Sequence, residues 1–124
     1  MSKSEDLMRL AENDLKVSKI LLDSANDELM QNTAAYHAEQ AVEKVLKSIL
    51  AKNNIEAGIT HNIQTLCDEM DSAKIECPEW IKDKAYDISS WATTIRYNTN
   101  FKADHDEIEE VIQNTIELIE KVNS

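Results

Sequence analysis

A chain of 124 residues with one glycine and one proline has few means of reversing direction sharply. The two residues together usually make up roughly 12% of a globular sequence. Tight turns and hairpins rely on them for positive or preset φ angles. A strand-rich fold is therefore not expected, and the predicted class is all-α. The length and the 42% share of hydrophobic residues fit one domain over 1–124.

Thirteen Lys and Arg against twenty-four Asp and Glu give a formal net charge of −11. Such a surface repels a phosphate backbone unless its cations are gathered locally, so tight nonspecific DNA binding is not expected. The opening MSKSEDLMRLAEND is too polar for a signal peptide, and no apolar run approaches the ~18 residues that span a bilayer. The expected location is cytoplasmic, with no membrane association. Cys67 and Cys77 stand ten apart without a CxxC and without histidines at ligand spacing. The pair suggests neither a metal site nor a redox couple, and in a reducing compartment no disulfide is expected. No cofactor is expected.

Helical periodicity organises the rest. Ser4 or Ser2 can cap a first helix from near Glu5 to about Ala25, with Leu7, Leu10, Ala11, Leu15, Val17, Leu21 and Leu22 on one face. Asp14 interrupts that face, and an ionised carboxylate there needs a cation or a polar cleft. A second helix over about Asp27–Lys52 turns Ala34, Ala35, Ala38, Val42, Val45, Leu46 and Ile49 inward and Gln40, Lys44 and Lys47 outward. Its alanines permit close approach of a neighbouring helix. Glu39 and Glu43, one turn apart, read as a solvated edge or as an acid–base pair. Asn53, Asn54 and Gly58 end this helix, and Thr60 is the predicted cap of a short helix near 61–71, with His61 in its first turn fastening the loop. Pro78 opens a fourth helix whose inward face carries Ile81, Ala85, Ile88, Trp91, Ala92 and Ile95, with Arg96 beside it. Tyr97 to Asn100 read as a break. Asp104 or Asp106 starts the last helix, whose Ile108, Val111, Ile112, Thr115, Ile116, Leu118, Ile119 and Val122 form the most regular stripe in the chain. The expected architecture is an antiparallel helical bundle of four long helices plus one short helix.

Four segments carry a resemblance to a known family: AENDL in the first helix, AYHAEQAVEKVLKSIL in the second, Thr60-His61-Asn62-Ile63, and Ile95-Arg96-Tyr97. Together the chain resembles the HEPN family, small helical bundles named for higher eukaryotes and prokaryotes nucleotide-binding. The resemblance implies a homodimer. It also implies Arg96 and a following histidine as the catalytic pair of the family's ribonuclease members, four to six residues apart. Here the first histidine after Arg96 is His105, with eight residues between them. Arg96-Tyr97-Asn98 is closer to the part of the family that has Arg-Tyr-Pro, with Asn98 in the proline's place.

A metal-independent ribonuclease needs a base at the ribose 2′-hydroxyl and positive charge at the phosphorane, which His and Arg supply. The altered spacing therefore divides the functional expectations. The first is a partner module without strong catalysis, resembling the HEPN half of a minimal nucleotidyltransferase toxin–antitoxin or defence pair. The second is an endoribonuclease toxin using Arg96 and His105 at a dimer interface. The third is a bundle that binds a nucleotide near Arg96, Tyr97 or Lys102. RNA and nucleotides are the candidate ligands, and no metal is expected. Asp14, Glu43, Tyr97, Asn98 and Lys102 are the candidate cleft-lining residues. Asp14 is expected to pair with Arg96 or, failing that, to bond Tyr36, Trp91 or a backbone group.

Overall fold

The computed structural model describes residues 2–97 and 102–124, except for the side chains of 94–97. Five helices and no strand occur among them: α1 (Lys3–Ser24), α2 (Glu28–Lys52), α3 (Ile63–Ser72), α4 (Glu79–Tyr97) and α5 (His105–Asn123). Four are long and α3 is short, as the periodicity implied.

The helix ends follow from side-chain chemistry. At α1 the Glu5 amide donates to Ser2 Oγ at 3.1 Å and the Ser2 amide donates to the Glu5 carboxylate at 3.4 Å, a capping box. Asp27, Asn62 and Asp104 accept from amides three residues on and cap α2, α3 and α5. Asn62 thus takes the capping place expected of Thr60, whose hydroxyl instead accepts from the Asn62 amide. His61 consequently lies just ahead of α3, outside its first turn. Both α2 and α3 end in a left-handed residue, Asn54 and Lys74, each with φ 61°. In each case the following amide reaches back to close the turn, Ile55 to Leu50 at 2.9 Å and Ile75 to Met70 at 2.8 Å.

The chain runs up and down. Ser4 at the start of α1 meets Ser48 near the end of α2, while Ser18 Oγ donates to the Ala34 carbonyl at 2.7 Å, so these two helices are antiparallel. Ala34, Ala35, Ala38 and Ala41 are fully buried, and their short side chains let α1 come close. The helix α2 packs against all four others, α1 also meets α5, and α3 leans on α4. Among the described residues α1 and α4 do not pack together.

The core follows the expected faces with a shift on α1. On α1 the buried line is Met8, Ala11, Leu15, Ser18 and Leu22, a helical repeat that leaves Leu10 on the flank at 52% exposure. On α4, Ile81, Ala85, Ile88 and Trp91 are buried. The side chain of Ile95 lies outside the described residues. On α5, Ile108, Val111, Ile112, Thr115, Leu118 and Ile119 are buried, with Ile116 and Val122 partly so.

Candidate functional site

Because α2 is enclosed on several sides, polar residues on it are carried inside. Glu39 is fully buried and Glu43 is 3% exposed, so the two carboxyls are no solvated edge. Gln40 donates its amide to one Glu39 oxygen at 2.8 Å, and the other oxygen has no partner. Burial and then the neighbouring Glu43 push the Glu39 carboxyl up to about 8, so it holds its proton at neutral pH. The mutual repulsion of two close carboxylates is relieved by keeping one of them neutral.

Glu43 faces out of this seam. Its Oε1 meets His61 Nδ1 at 2.8 Å, and its Oε2 lies 3.9 Å from Lys47 Nζ. The imidazole is 72% exposed while the carboxylate beneath it is 3% exposed. With Nδ1 occupied by the carboxylate, Nε2 is the nitrogen left for a ligand or a proton. This buried-acid, exposed-imidazole dyad was not evident from sequence, because 18 residues separate its members. A signal was present: Glu43 at the edge of the apolar face, and a histidine directly before a capped helix.

His61 also lines a cleft of about 530 Å³ between the start of α3 and the middle of α4. Its other walls are Thr60, Asn62, Gln64, Ala85, Tyr86, Ser89, Ser90, Ala92 and Thr93. None is an Asp or Glu, in a chain that carries twenty-four of them.

The second polar cluster surrounds Asp14, which is 7% exposed. Its carboxylate accepts from Lys44 and lies 3.1 Å from His37 Nδ1. Lys44 therefore turns toward α1 instead of outward, and it supplies the cation that the apolar setting of Asp14 called for. The Arg96 side chain expected in that place lies outside the described residues, as do the Tyr97 side chain and Asn98. No α1–α4 contact among the described residues supports an Asp14–Arg96 pair. Lys102 is exposed and forms an ion pair with Glu28 at 2.7 Å. His105 opens α5, exposed, with Nδ1 at 3.5 Å from Asp106 and 3.9 Å from Glu109. Those three are the one set among the described residues close enough to share a cation, and all are exposed.

The comparison with known families decides the affiliation. The HEPN domain model matches residues 4–124. The chain belongs to the HEPN family. The match spans all five helices, including the dyad and the alanine seam of this HEPN domain. No curated protein and no solved structure gives a significant match. The helical fold agrees with what the resemblance implied, and no helix among the described residues is long and apolar enough to cross a membrane.

Proposed function

We propose that this HEPN domain is the helical partner of a minimal nucleotidyltransferase in a toxin–antitoxin or defence pair, acting as a homodimer without strong catalysis of its own. The setting of His105 carries this reading. The ring stands on the first turn of α5 beside Asp106 and Glu109, with Asp104 capping the same turn. A scissile phosphate at His105 lies beside these carboxylates, and in a chain of net charge −11 that repulsion opposes binding. A ribonuclease site gathers positive charge where the phosphorane forms.

Incubating the purified protein with RNA and a chelator tests this. No cleavage is expected; robust cleavage abolished by Arg96→Ala overturns the reading in favour of the endoribonuclease using Arg96 and His105. Co-expression with an adjacent nucleotidyltransferase is expected to give a stable co-eluting complex. Light scattering at micromolar concentration is expected to report a dimer.

The cleft at His61 favours a second reading, a nucleotide-binding bundle. Hydroxyls of Thr60 and Thr93, the His61 ring and the exposed Tyr86 line one space without a carboxylate. A phosphate can be met there by the imidazole and a base by the phenol ring. Calorimetry with ATP and other nucleotides is the measurement. Absence of heat at high ligand concentration, or heat unchanged in His61→Ala, removes this reading.

A further inference from the structure

Spacing in the sequence gives no sign that Cys67 and Cys77 act together, yet the fold brings them into contact. Cys67 sits on the inward face of α3 with Ile63, Leu66 and Met70. Cys77 ends the connector that follows α3, directly before Pro78 and α4. Both thiols are free and buried, and the Cys77 thiol donates to Cys67 Sγ at 2.8 Å. Sulfurs bonded to each other are about 2.05 Å apart, so a small shift of the connector joins them. We propose that Cys67 and Cys77 form a peroxide-responsive dithiol, whose oxidation to a disulfide clamps α3 to the entry of α4.

The two sulfurs have unequal roles. The hydrogen bond from Cys77 favours the thiolate at Cys67 and holds its acidity above that of an ordinary thiol. The same bond, reinforced by burial, holds the proton on Cys77. Cys67 is therefore the attacking sulfur and Cys77 the resolving one. In the first step the Cys67 thiolate attacks a hydroperoxide oxygen. An S–O bond forms, the O–O bond breaks, two electrons pass from sulfur to peroxide, and the departing alkoxide or hydroxide takes up the proton that Cys67 released on ionising and leaves as alcohol or water. In the second step Cys77 attacks the sulfenic sulfur. The S–S bond forms, the S–O bond breaks, and the hydroxyl leaves as water with the Cys77 proton. Two thiols and one hydroperoxide thus give one disulfide, one alcohol (water, for hydrogen peroxide) and one water.

Access comes through the connector. Ala73, Lys74 and Glu76 are exposed, and the backbone bonds that tie that stretch back to α3 among the described residues are the cap bonds of Ala73, Lys74 and Ile75. The clamp would fix α3 and α4 relative to each other, and the His61 cleft lies between the segment that leads into α3, Thr60 to Gln64, and the middle of α4.

The test uses the reduced, folded, full-length protein with stoichiometric hydrogen peroxide. The expected product is a monomer lighter by two hydrogens, restored by dithiothreitol, that yields a peptide linked through Cys67 and Cys77. Its melting temperature is expected to rise by roughly 5 °C or more, as an added cross-link of typical strength would cause. Cys77→Ala is expected to accumulate a sulfenic acid at Cys67 that dimedone traps, and Cys67→Ala to give neither species. The wild-type mass does not depend on either variant folding. A covalent dimer, sulfinic acid without the internal cross-link, or no change in mass overturns the proposal.

Discussion

The helices α2 and α5 treat charge in opposite ways. On α5 every buried residue except Thr115 is aliphatic, and Glu109, Glu110, Glu117 and Glu120 all face water. On α2 two carboxyls, Asn32 and Ser48 are buried alongside the aliphatic residues. The difference is one of position. The outer helix α5 has a wet side to which charge can be sent, whereas α2 is flanked by four helices and must neutralise its charge in place. It does so by pairing, as with Glu43 and His61, or by protonation, as with Glu39.

Truncating the dry face of α5 tests its half of the contrast with the largest effect. Ile112→Ala and Leu118→Ala, at positions 2% and 9% exposed, are each expected to lose about 2–5 kcal/mol in urea melts. Losses below about 1 kcal/mol would show that this face is not packed.

The α2 half is tested by pH. A carboxyl raised from 4.5 to about 8 on folding keeps its proton in the native state while the unfolded chain has released it. Its contribution therefore makes the fold less stable as pH rises from about 4.5 to about 8 and levels off outside that window, with a slope of up to about 1.4 kcal/mol per pH unit. Glu39→Gln removes a titrating group, so its stability profile is expected to be flatter than the wild type's over that range. Parallel profiles would mean that Glu39 is ionised in the fold.

A smaller effect is expected from Asp14→Ala, which strands Lys44 and His37 without their acceptor. A loss of about 1–3 kcal/mol follows, and a thermal melt with no shift would place the pair in water. The smallest is a gain. Lys74 holds φ 61° at the end of α3, and Lys74→Gly is expected to stabilise by about 1 kcal/mol because glycine adopts that conformation without a Cβ clash. Loss of stability instead would show that the Lys74 side chain matters more than its backbone.

The same contrast explains what the sequence disclosed. A stripe such as Ile108, Val111, Ile112, Thr115 and Ile119 repeats with the helical period and has one dry side, so periodicity finds it. Helix caps were legible to within a residue or two, since Ser, Asp and Asn mark them chemically, although Thr60 and Asn62 compete two residues apart. Lys44 was misplaced because its position on the wheel points away from the apolar face. The wheel of a single helix cannot show that α1 supplies an acceptor there. The dyad at His61 and the thiol contact at Cys67 depend on how the connectors return, which no local pattern encodes.

The place of α2 also determines how the molecule comes apart. It shares an interface with every other helix, whereas among the described residues α3 touches only α2 and α4. Amide hydrogens in the middle of α2 can then reach deuterated solvent only when the whole chain unravels, and their exchange reports the global unfolding free energy. Those of α3 are free to exchange through a smaller opening, and with them the covered thiol of Cys67 gains its route to solvent while the remaining four helices hold.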